Sequence, residues 1–149
     1  MKFNYDRTVE ASVSTVWSVL TDPEAMEPHL PGTAKVVSTG SSSYQVLMQI
    51  SMGFLRPTAN ADVQLSNINE FHGFTIELSG KLMGAGVSGK AKVALMSTDG
   101  NSRSTVVQLT GSMESSGMLK KVADTKIEVV TIGFLESYFT SVESTGSPD

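Results

Sequence analysis

The stretch STVVQLTGSMESSGMLKKVADTKIEVVTIGFLESYFTSVE, residues 104–143, changes its hydrophobic period partway along. Thr105, Val107, Leu109, Gly111 and Met113 alternate with Ser104, Gln108 and Thr110. That is the period of a strand with one apolar and one wet face. After Ser116-Gly117 the step becomes three and four residues, through Leu119, Ala123, Ile127, Val130, Phe134, Tyr138 and Val142. This spacing predicts one long helix over about 117–143 with a single apolar stripe. The β-branched run Val129–Ile132 and the interior Gly133 work against it, because both lower helix propensity.

Upstream, the period of two holds for most of the chain. Tyr44, Val46, Met48, Ile50, Met52 and Phe54 share one parity. So do Ala61, Val63 and Leu65, then Phe74, Ile76 and Leu78, then Val87, Gly89, Ala91, Val93 and Leu95. A short strand over about 34–39 precedes them, and Phe3, Tyr5 and Val9 open the chain with another over about 2–9. Asn67-Ile-Asn, His72-Gly, Met83-Gly-Ala-Gly and Asp99-Gly-Asn read as hairpin turns. Between the first and second strands, Ser12 is a fitting N-cap for a short helix whose stripe is Val13, Val16, Trp17 and Leu20. Asp22 and Pro23 suit the N-cap and first position of a second one. A long antiparallel meander with one apolar face must cover that face, and the terminal helix is the element available to do so.

The 149 residues fit one domain, here residues 1–143, with 144–149 as a flexible tail. Eleven basic against 15 acidic residues, with no basic run beyond Lys120-Lys121, argue against nucleic acid. The absence of cysteine excludes disulfides, thiolate metal sites and Cys nucleophiles, and makes the cytoplasm the expected compartment. No apolar signal core opens the chain, and no run approaches a membrane span.

Several of these segments resemble the carbon monoxide dehydrogenase CoxG family, within the Bet v 1-like, START-like (SRPBCC) ligand-binding domains. They are Val13-x-x-Val-Trp-x-x-Leu-x-Asp-Pro-Glu24, Leu30-Pro31-Gly32, Gly89-x-Ala-x-Val-x-Leu95 and Phe134-Leu-x-x-Tyr-Phe139. The resemblance spans nearly the whole chain. It implies an α+β helix-grip fold, a seven-stranded antiparallel sheet wrapped around a long C-terminal helix, with two short helices after the first strand. It also implies binding of a hydrophobic small molecule, a lipid or isoprenoid quinone, in the service of a molybdenum-containing dehydrogenase. Members often carry a C-terminal extension that reaches the membrane; none follows the helix here, so peripheral membrane contact without an anchor is the expectation.

The residues expected to line the cavity are Trp17, Met26, Leu30, Tyr44, Met48, Ile50, Met52, Phe74, Ile76, Met83, Val87, Met113, Leu119, Ile127 and Phe134. Gly89, Ala91, Gly111 and Gly133 would leave the volume, and the methionines would adapt to a ligand. The competing reading makes the glycines curvature devices and the methionines ordinary core. Tyr44 and Tyr138 would hydrogen-bond a ligand carbonyl or lie in the core with their hydroxyls at the surface.

Catalytic and metal chemistry find no footing, and no cofactor is expected. Met83-Gly-Ala-Gly-Val-x-Gly lacks the Lys-Ser/Thr of a phosphate loop. His29 and His72 are too isolated for a triad or a metal site. In DPEAMEPHLPG, residues 22–32, the acids sit where a helix dipole favours them, and the prolines keep the helix short. The segment reads as a rim or lid, with His29 solvated or capping a backbone carbonyl. The leading expectation is a non-enzymatic carrier. The alternatives are an accessory factor acting through its surface on a partner enzyme, and a cyclase- or dehydratase-type enzyme.

Overall fold

The structure, a computed structural model, describes residues 1–30, 34–49, 54, 58–82, 85–98, 101–117 and 124–146. The chain runs β1 (Lys2–Val9), α1 (Val13–Thr21), α2 (Pro23–Met26), a 3-10 turn (Glu27–His29), β2 (Lys35–Gly40) and β3 (Ser43–Gln49). It continues through β4 (Thr58–Asn69), β5 (Gly73–Leu82), β6 (Ala85–Thr98) and β7 (Asn101–Ser115) to α3 (Asp124–Gly146). The seven strands form one antiparallel sheet in the order β1-β7-β6-β5-β4-β3-β2. The helix-grip expectation is borne out, including the two short helices after the first strand.

The local signals work as their chemistry requires. The Ser12 side chain caps α1 by accepting from the Thr15 N–H, and the Asp22 carboxylate caps α2 with Pro23 in the first turn. α3 forms across Val129–Ile132 and Gly133 in spite of their propensity, because packing of its inward stripe outweighs it. Residues 118–123, which contain Leu119, lie outside the described residues, as do Ile50, Met52 and Met83.

Cross-strand register fixes which inward side chains are neighbours. Tyr5, Leu109, Val93 and Phe74 make one row. Phe3, Gly111, Ala91, Ile76 and Leu65 make the next. Met113, Gly89, Leu78, Val63 and Tyr44 make the third. In the second row a Cβ on Gly111 would overlap the Lys90 carbonyl oxygen and the Ala91 Cα, and Gly80 stands in the same relation to Asn60 and Ala61. The sheet bends inward so tightly at these points that only hydrogen fits, the close approach that strand glycines permit.

The core gathers at one end of the fold. Val9, Val16, Val107, Phe139 and Val142 are fully buried there, with Trp17, Met26, Phe74 and Tyr138 around them. Trp17 meets Phe74 edge-on at 5.7 Å and Phe71 at 6.0 Å. The C-terminal half of α3 is bolted to β1. Tyr5 stacks on Phe139, and its hydroxyl donates to Glu136 Oε1 at 2.7 Å. Arg7 donates to Glu136 and Glu143, and the Glu143 carboxylate also accepts from the Glu10 N–H.

Candidate functional site: the cleft under the long helix

Toward the N-terminal half of α3 the packing loosens. Ile76, Leu78, Gly89, Ala91, Leu109, Gly111 and Met113 all face inward yet remain partly exposed, as do Ile127, Thr131 and Phe134 opposite them. α1 sits close on β6 and β7, whereas the backbone of α3 comes closest to β1, α1 and the 3-10 turn. The middle of the sheet, where the small residues fall, is therefore spanned from a distance. Apolar side chains of the sheet, the floor, and of α3, the roof, therefore face one another with part of their surface still accessible, which makes this the candidate cleft.

The expected lining residues divide into groups. Tyr44, Met48, Ile76, Val87 and Met113 stand on the sheet's inward face, and Ile127 and Phe134 on the matching side of α3. Thr131 meets Met113 from above, its hydroxyl 3.9 Å from the sulfur. Trp17, Met26 and Phe74 are buried in the closed end, and Leu30 packs against them. Leu78, Leu109 and Thr131 join the cleft, though sequence reasoning left them out of the lining. The parity of Leu78 with Phe74 and Ile76 was the available signal. Gly133 corrects an expectation: it lies on the outward side of α3 with Val129 and Thr140, all exposed, because 3.6 residues per turn rotate it away from Phe134.

The rim segment is tied down on both sides. The Glu27 carboxylate accepts from the Val36 N–H at 3.1 Å, which joins the 3-10 turn to β2. His29 is partly buried, and it bonds a side chain instead of capping a backbone carbonyl. Its Nδ1 lies 2.8 Å from Ser141 Oγ on α3, and its ring meets Tyr138 edge-on. Burial holds its pKa below the usual 6.5. In the unfolded chain the imidazole takes up its proton at higher pH than in the folded one, so stability must fall as pH drops below 6.5. Between about pH 7.5 and 5, thermal unfolding should show the wild type losing more stability than His29→Gln. Equal losses would mean that the folded state tolerates the charged ring.

The two inward tyrosines differ. Tyr138 donates its hydroxyl to the Val19 carbonyl, is buried, and stacks on Phe134. Burial raises its pKa, and electrostatic coupling to Tyr44 adds to the rise. Tyr44 is only 5% exposed, and burial pushes its phenol up to about 12. Its hydroxyl has no hydrogen-bond partner among the described residues. No enclosed side-chain oxygen or nitrogen among those residues lacks a partner, so the Tyr44 hydroxyl must open onto accessible space.

A shallow concavity of about 700 Å³ lies on the sheet's opposite face, lined by polar side chains that include Asp62, Gln64, Glu77, Ser79, Ser88 and Lys90. Lys90 pairs with Glu77 there at 3.6 Å. It is open and edged by charged and hydroxyl side chains, and so lacks the enclosure that small-molecule sites use. Among the described residues no group of three or more His, Cys, Asp or Glu side chains is placed to hold a metal. No helix among them is long and apolar enough to cross a membrane.

Comparison with known proteins agrees with this architecture. The carbon monoxide dehydrogenase CoxG family matches residues 6–145. No curated protein matches the chain in sequence. Among solved structures, a conserved protein from Geobacillus kaustophilus superposes with a TM-score of 0.86 at 18% identity, covering 97% of this chain and 94% of its own. A START superfamily protein from Mycobacterium smegmatis gives 0.67 at 14% identity, covering 97% and 96%. The Zhui aromatase/cyclase from Streptomyces sp. R1128 gives 0.59 at 14%, covering 96% and 93%. At such identities these neighbours speak to the fold alone.

Proposed function

We propose, since the chain belongs to the carbon monoxide dehydrogenase CoxG family, that it is a non-enzymatic carrier for a hydrophobic small molecule held in the cleft under α3. One observation carries this reading. The inward strand faces run apolar and small from Phe3 to Met48, yet beneath the N-terminal half of α3 they stay partly exposed instead of closing into core. Exposed apolar surface of that kind gains about 25 cal/mol per Å² when a ligand covers it. Among the described residues, the inward ionisable groups outside the Arg7–Glu136–Glu143 network are phenols and one imidazole, which hold a ligand better than they transform it.

The ligand we infer is a lipid or an isoprenoid quinone, and the partner a molybdenum-containing dehydrogenase of the carbon monoxide type. Both finer statements rest on the family. Native mass spectrometry of protein purified from its own host, followed by solvent extraction, tests the first. An apolar mass released by solvent is the expected result. A protein that carries nothing and takes up no apolar probe would sink the carrier reading. Conversion of the bound molecule on incubation would return the cyclase reading. Co-purification of the dehydrogenase tests the partner.

A further inference from the structure

Two inward tyrosines lie near enough to interact electrostatically, and among the described residues only one is committed. Tyr138 spends its proton on the Val19 carbonyl. Tyr44 stands at the end of the row Met113–Gly89–Leu78–Val63, and its hydroxyl meets no acceptor among the described residues. The Tyr44 ring is buried while the hydroxyl at its tip opens onto accessible space, where solvent or a ligand is the acceptor left to it. We propose that Tyr44 selects the ligand by donating a hydrogen bond to it, and that the group it reads is a neutral acceptor of the carbonyl type. The inference deepens the carrier reading above and rests on it.

The choice of a neutral acceptor follows from the charges that the described residues set around the cleft. A carboxylate or phosphate carried inside would need a cation to offset its lost hydration. Arg7, the basic residue that the inward strand face sets beneath α3, is held by Glu136 at 2.5 Å and Glu143 at 2.6 Å. His29 is held neutral by burial and bonded to Ser141. Lys90 is on the opposite face of the sheet. A phenol that stays protonated across the physiological range offers one donor and no charge, which suits a ketone, quinone or ester oxygen.

The test compares two apolar fluorescent probes on the whole protein, wild type and Tyr44→Phe. One is 6-propionyl-2-(dimethylamino)naphthalene, whose emission moves to the red when its carbonyl accepts a hydrogen bond. The other is diphenylhexatriene, which has no acceptor. The wild type should bind both. Tyr44→Phe should keep its affinity for the hydrocarbon, lose roughly five- to ten-fold for the carbonyl probe, and shift that probe's emission to the blue. Methyl decanoate should displace either probe at lower concentration than decanoate. Unchanged affinity and emission of the carbonyl probe in Tyr44→Phe would overturn the assignment while leaving the carrier reading intact. Failure of the wild type to bind either probe would overturn both. Should Tyr44→Phe not fold, the wild-type emission decides: carbonyl emission typical of an aprotic solvent overturns the assignment.

Discussion

Replacing Phe139 by alanine should destabilise the protein by about 3–5 kcal/mol, among the largest effects a single core truncation has. Phe139 is fully buried, stacks on Tyr5 at 6.4 Å and meets Tyr138 edge-on at 5.6 Å. Its loss removes apolar burial, leaves a cavity that the bent sheet cannot collapse to fill, and releases two aromatic pairs. Those contacts are how the C-terminal half of α3 holds β1, alongside the ion pairs from Arg7. For a chain of this length, the melting temperature should fall by roughly 8–16 °C. Circular dichroism through a thermal ramp reads the change. Val129→Ala, at a position 68% exposed on the same helix, is the control and should stay within about 0.5 kcal/mol. If the two variants melted alike, α3 would not be gripped as described.

Leu78→Trp should abolish most ligand uptake without unfolding the protein. Leu78 is partly buried in the cleft floor, and its cross-strand partner Gly89 has no side chain to crowd it. An indole there would lean over Gly89 into the space beneath α3. Displacing about 80 Å² of apolar ligand contact costs about 2 kcal/mol, or roughly a thirty-fold loss of affinity. The melting temperature should move by only a few degrees, because the new ring enters open space instead of packed core. Titration with diphenylhexatriene measures the first quantity, and a thermal ramp the second. Full uptake by Leu78→Trp would put the ligand somewhere other than this cleft.

The strand order of the candidate site was legible to a large degree. Parity alone put Tyr44, Ile76, Gly89 and Met113 on one face, and the register makes Tyr44, Gly89 and Met113 members of a single row. Parity does not tell how tightly each position is covered. Trp17, Met26 and Phe74 share the lining's chemistry but sit in the closed end, and Leu78 and Thr131, left out of it, stand in the cleft. Apolar character is the same in a packed core and in a ligand cleft. Which one results depends on the distance to the covering helix, a property of three elements together.

By itself, the sequence determined the meander, the long C-terminal helix, the caps at Ser12 and Asp22, and the absence of a thiol. These follow from hydrophobic period and short-range hydrogen bonding, which act within a few residues of chain. Only the tertiary structure decided that His29 bonds Ser141, 112 residues away, and that Arg7 is neutralised from α3. Only it separated the two tyrosines, giving Tyr138 the Val19 carbonyl, 119 residues distant, and leaving Tyr44 without an acceptor among the described residues. A phenol has the same chemistry wherever it stands, and its role is set by what the fold brings within hydrogen-bond reach.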